Sequence, residues 1–224
     1  MKILDFGENS YQSDLAFRFD CLSTRAITDF VLMLTTKNDI FTSVARTDAQ
    51  GQVELSRGNG TASNPYFQLR LSAGGLVLWG GWHLPFEEWQ KWRKLFLDDV
   101  AELLEGLPPA MVERVSNYYN VRVTSQQIKG VSELPAVRDL GARFLPEELL
   151  HRAGIASTMG DSNGNEEISW VIPALPPEAT VAFVANRKNL DSTVPLIRAL
   201  HDHATRSDDL AVKFYSTIVS PLLR

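Results

Sequence analysis

A chain of 224 residues with 44% apolar content can bury a core large enough to fold unaided. Twenty-seven acidic against twenty-two basic side chains leave a net charge of -5, which excludes the general attraction to phosphate that a basic protein would have. The single cysteine, Cys21, excludes an internal disulfide, and MKILDFGENS has neither the apolar run nor the cleavage pattern of a secretory signal. No stretch approaches the roughly 18 apolar residues of a membrane span, so the cytoplasm is the expected compartment and a membrane is not an expected partner.

In LAFRFDC, Leu15, Phe17 and Phe19 alternate with Ala16, Arg18 and Asp20, the period of a half-buried strand. Ser23 or Thr24 then caps a helix whose Ile27, Phe30, Val31 and Leu34 line one face. Strands are expected at Ile40 to Arg46 and Gln52 to Leu55, joined by a polar turn around Asp48 to Gly51 and followed by the loop RGNGTASNP. YFQLRLS-AGG-LVLWGGW reads as a hairpin, with Gly74 and Gly75 supplying the positive dihedral angles of a tight turn.

The next helix is the best-marked element, predicted over Pro85 to Glu105. Pro85 suits a first helical position, Glu87 and Glu88 suit the positive end of the dipole, and Gly106, Pro108 and Pro109 mark the stop. Phe86, Trp89, Trp92, Phe96, Val100, Leu103, Leu104 and Leu107 share one helical arc, opposed by Glu87, Lys91, Lys94, Asp98, Glu102 and Glu105. Four of the five tryptophans fall between Trp79 and Trp92. This arc assigns Trp89 and Trp92 to the core and leaves Trp79 and Trp82 as the rings able to remain accessible. Arg93 breaks the apolar arc. Its stem is expected to snorkel outward, the alternative being a carboxylate or carbonyl partner on the sheet.

VERVSNYYNVRVTS has the clearest strand alternation, with Val115, Tyr119, Val121 and Val123 on one face and Arg114, Ser116, Tyr118, Asn120 and Arg122 on the other. Between Lys129 and Arg152 only short helical pieces bounded by Pro135 and Pro146 emerge. Further strands are expected around Ile155 to Thr158, Glu167 to Ile172 and Thr180 to Asn186. A closing helix over Thr193 to about Val219 carries Ile197, Leu200, Leu210, Phe214 and Ile218, with a break admitted near Ser207. This order predicts an α+β fold, an antiparallel sheet with helices packed on one face. The chain is read as a single globular unit, 1–224, whose halves, 11–109 and 110–224, repeat the order strand, helix, strands, helix, an arrangement similar to the saddle of TATA-binding proteins.

Motifs of catalysis are missing from the sequence. His201 and His203 are two apart and diverge on a helix, and His201-Asp202 stands without the further ligands of an HD phosphohydrolase. DSNGNEE begins like a calcium loop, but Glu166 and Ile172 occupy the positions that need glycine and a bidentate acid, so a polar hairpin turn on Asn163-Gly164 is expected. GNG at Gly58 to Gly60 precedes no helix, no G-x-S-x-G surrounds a serine, and Cys21 has no adjacent histidine. The ridge Asp98, Asp99, Glu102, Glu105 reads as a solvated helix face that leaves room for a basic partner. No catalytic residue, metal or cofactor is therefore assigned. The candidate binding residues are Arg18, Arg70, Arg114, Tyr118, Asn120 and Arg122, which would share the open side of the sheet if their strands adjoin. A solvated sheet face with cross-strand pairing is the competing account.

FQLRLSAGGLVLWGGWHLPFEEWQKWRKLF and ERVSNYYNVRV together resemble an uncharacterised, sporadically distributed bacterial family. Its members carry a hairpin, a helix opening with a Tyr-x-x-Trp-x-x-Phe type motif, and a strand similar to "eRigLRYiNri". Trp89, Trp92 and Phe96 stand near the helix motif, and Arg114, Val115, Tyr119 and Arg122 match the strand in register. LIRALHDHA and KFYSTIV are similar to the family's closing helix at Leu200-His201 and Phe214. Departures fall at Asn117, Tyr118 and Val121, which replace an apolar residue, a basic residue and an asparagine. The resemblance implies a bacterial or phage origin and an accessory role in defence or toxin-linked gene clusters, and it carries over no catalytic residue. Two functions are expected from the chain. The first is a non-enzymatic interaction protein, such as an adaptor, inhibitor or antitoxin-like partner, that binds another protein through the sheet face or the acidic helix. The alternative is binding of nucleotide or single-stranded nucleic acid through the basic and aromatic sheet face.

Overall fold

The computed structural model describes residues 8–19, 23, 25–29, 32, 43–47, 53–57, 66–72, 74–82, 84–105, 111–124, 155–172, 178–188, 190 and 195–222. The GNG loop and the segment between Lys129 and Arg152 lie outside the described residues. The strands are β1 (Glu8–Arg18), β2 (Ser43–Thr47), β3 (Val53–Arg57), β4 (Tyr66–Ser72) and β5 (Gly75–Trp82), followed by helix α1 (Phe86–Glu105). Then come β6 (Met111–Thr124), β7 (Ile155–Gly160), β8 (Glu166–Ile172), β9 (Glu178–Lys188) and helix α2 (Leu196–Phe214). A π-helical turn, Tyr215–Val219, and a 3-10 turn, Ser220–Leu222, extend α2. Among the described residues the strands form one sheet in the order β2-β3-β4-β5-β1-β6-β9-β8-β7. The pairs β2 with β3, β3 with β4, β4 with β5, β5 with β1 and β7 with β8 are antiparallel. The fold is α+β. Among the described residues no helix is long and apolar enough to cross a membrane.

The chain divides into two compact units, one comprising Tyr11–Asn117 with Asn186–Ala204, the other Met1–Ser10, Tyr118–Ala185 and Thr205–Arg224. In the first, alternation buries Tyr11, Leu15 and Phe17 of β1, Leu69 and Leu71 of β4, and Leu76 and Leu78 of β5 on one face. Against that face α1 sets Trp89, Phe96, Leu97 and Val100. Trp89 stacks on Tyr11 with ring centroids 4.8 Å apart, and its full burial contributes on the order of 2 to 3 kcal/mol. β1 begins seven residues before the predicted strand because Ser13, polar yet 1% exposed, interrupts the apolar alternation. Its Oγ donates to Asn117 Oδ1 at 2.8 Å, which makes the burial of the hydroxyl tolerable.

Three local readings change in this unit. Arg93 does not snorkel: it is 4% exposed, and its guanidinium carbon lies 4.1 Å from the centroid of the Trp89 ring one turn earlier on α1. Trp92 is only half-buried, whereas Leu97, outside the predicted arc, is buried. The β4–β5 turn uses no positive φ at Gly74 or Gly75. Gly75 is needed instead for space, since a Cβ there would meet the Phe17 carbonyl oxygen at 3.1 Å. Ser23 is the cap of the first helical turn, its Oγ accepting the Ala26 N–H at 3.2 Å.

In the second unit, β7 and β8 form a hairpin across the DSNG turn. Gly164 takes φ 68 there, its N–H bonds to Asp161 O at 3.1 Å, and the Asp161 carboxylate accepts the Glu166 N–H at 2.9 Å. The acid that resembled a calcium ligand closes a turn. Trp170 and Phe183 both pack on Phe214, each with centroids 5.3 Å away. Tyr119 donates to Asp208 Oδ1 at 2.7 Å, and the Tyr215 hydroxyl bonds the Tyr119 and Val181 carbonyl oxygens. α2 is not broken at Ser207. Its buried stripe of Leu200, His203, Ala204, Ser207, Asp208, Ala211 and Phe214 keeps helical spacing but is partly polar, so hydrophobicity alone misreads it.

Candidate binding surface

Opposite the buried face of the first unit, Gln12, Asp14, Ala16 and Arg18 of β1 share one side of the sheet with Gln68, Arg70 and Ser72 of β4. Strand register sets these residues in rows. One row runs Glu54, Arg70, Val77, Ala16 across β3, β4, β5 and β1, and a neighbouring row holds Gly75 between Ser72 and Arg18. Arg70 Nε lies 3.2 Å from Glu54 Oε2, and the Gln68 side-chain amide donates to the same carboxylate. Gln12 Nε2 donates to Asp14 Oδ1 at 2.6 Å. Val77 is 38% exposed beside Arg70. The row therefore presents acid, base and apolar groups in succession.

Arg18, Arg70 and Arg114 are exposed in the first unit; in the second, Arg122 is exposed while Tyr118 and Asn120 are half-buried. β5 separates the strands of Arg18 and Arg70, and strand spacing with one residue pair of stagger puts their Cα atoms roughly 12 Å apart. Along β6, seven residues of extended chain separate Arg114 from Arg122. The expectation of a uniformly wet open face is corrected by Ser116, which is fully buried, and by Ala16 and Gln68, both below a tenth exposed. Glu54, Asp14 and Val77 were not singled out in the sequence. Val77 was recoverable, because LVLW is apolar on both strand parities, and one of those sides must face outward.

The acidic side of α1 meets a base within its own unit. Asp98 Oδ1 lies 2.8 Å from His201 Nε2, both side chains remaining partly exposed, while Glu102 is exposed. His203, two residues on, is buried on the other side of α2, as helical geometry requires. Among the described residues no three His, Cys, Asp or Glu side chains converge to hold a metal ion. No protein-family model matches the chain, and no curated protein matches it. The class defined by the coordinates is structural: an α+β protein with an antiparallel sheet of many strands.

Proposed function

We propose that this chain is a non-enzymatic protein-binding module, and that the outward face of β3, β4, β5 and β1 is the surface that contacts its partner. The row Glu54, Arg70, Val77 supports this reading. A polyanion approaching Arg70 would meet the Glu54 carboxylate 3.2 Å away and Asp14 on the same side of the sheet. A protein surface can match interleaved charge and cover the exposed Val77 at once. Affinity purification from the native host, with wild type and Val77→Asp in parallel, tests the reading. The expected result is a stoichiometric protein retained by the wild type and lost by the variant. Nucleotide absorbance in the purified sample would overturn it, as would oligonucleotide binding that weakens steeply between two salt concentrations; either result favours the nucleic-acid alternative.

A further inference from the structure

We propose that β7 is a self-association edge, and that two copies of this chain pair antiparallel through Ile155–Gly160 about a two-fold axis at Ser157. Among the described residues β7 closes the sheet order, pairing with β8 on one side only. Ala156, Thr158, Met159 and Gly160 are all exposed. The strand's sequence, IASTMG, contains no charge and no proline, the two commonest devices that keep sheet edges from pairing. At the other end of the order β2 carries Arg46. Five large hydrophobic side chains are exposed among the described residues, and two of them, Met159 at 56% and Val171 at 41%, stand on this one hairpin.

The hydrogen-bond phase is set by the turn. Asp161 N–H donates to Glu166 O at 3.0 Å, making 161 and 166 a hydrogen-bonded pair. Antiparallel alternation then turns the N–H and C=O of Asp161, Met159 and Ser157 toward β8 and those of Ala156, Thr158 and Gly160 toward the outer edge. A dyad at Ser157 places Ala156 opposite Thr158 of the second copy, so outward-pointing groups meet outward-pointing groups. The same register sets Ile155 opposite Met159, apolar against apolar. A dyad moved to Thr158 would set Met159 opposite Ser157 and Ala156 opposite Gly160, losing that match. No like charges face each other across the pair. A six-residue ladder is small beside the roughly 1,600 Å² of a stable interface, so the dimer is concentration-dependent, with a dissociation constant of about micromolar or weaker.

Sedimentation velocity of the full chain, from about 1 μM to several hundred μM, tests the proposal. The expected mass rises from monomer toward dimer, and Met159→Lys and Thr158→Lys, both at exposed positions, each weaken the association by about tenfold or more at unchanged circular dichroism. Ser157→Cys in a Cys21→Ser background is expected to form a disulfide-linked dimer under mild oxidation, because non-hydrogen-bonded antiparallel pairs bring side chains closest. A monomer at every concentration overturns the proposal, as does a dimer indifferent to both lysines. A lysine-sensitive dimer that does not cross-link at 157 overturns the Ser157 dyad.

Discussion

The Tyr119 hydroxyl donates to Asp208 Oδ1 at 2.7 Å, tying β6 to α2 at a point where both residues are buried. Hydrogen bonds to a buried charged group are worth more than average ones, so removing one donor from this carboxylate costs more than the loss of an ordinary hydrogen bond. Tyr119→Phe is accordingly expected to lower unfolding free energy by about 1 to 3 kcal/mol. Asp208→Asn, which keeps an acceptor oxygen, should cost less than Asp208→Ala. Urea denaturation of the three variants gives the order directly, and an unchanged stability of Tyr119→Phe would mean that the bond contributes nothing.

Arg93 and Trp89 form the second testable pair. The guanidinium stands 4.1 Å from the ring centroid with both residues buried, so the attraction acts with little solvent screening. A double-mutant cycle built on Arg93→Met and Trp89→Leu should return a coupling of about 0.5 to 2 kcal/mol. Zero coupling would mean that the Trp89 ring contributes no attraction to the Arg93 guanidinium.

Two adjacent glycines predict opposite outcomes. A methyl group at Gly75 would press on the Phe17 carbonyl oxygen at 3.1 Å, whereas nothing lies within 4 Å of one at Gly74. Gly75→Ala is expected to cost about 1 to 3 kcal/mol through displacement of backbone on β1. Gly74→Ala should be neutral or slightly stabilising, since it only restricts the unfolded chain. Thermal melts of both variants distinguish steric need from turn conformation.

At the β7–β8 turn the reverse applies. Gly164 has open space around it but holds φ 68, so Gly164→Ala should cost about 1 to 2 kcal/mol through backbone strain alone. Gly164→Asn should recover part of that loss, because asparagine tolerates the left-handed region better. If alanine and asparagine melt together, the turn has rearranged.

Much of the fold was legible because its signals are local. β4, β5, α1 and β6 announce themselves through period 2, period 3.6, Pro85 and the Gly106 stop, all of which act within a few residues. The outward placement of Arg18 and Arg70 follows from the same alternation. What local pattern misread was polar burial: Ser116 reads as outward and Ser207 as a break, Ser13 and Asp208 carry no signal at all, and all four are core. The Ser13 partner lies 104 residues away in sequence and the Asp208 partner 89, so no window could count the hydrogen bonds that make their burial tolerable.

The sequence by itself determined the class of fold and the elements β4, β5, α1 and β6, since dihedral preference and side-chain period belong to the chain locally. Only the tertiary structure decided that Arg70 is answered by Glu54, that Asp98 meets His201, and that uncharged β7 ends the described sheet order. Those outcomes depend on strand order and helix docking, which arise from pairing between distant segments and leave no periodic trace in either partner.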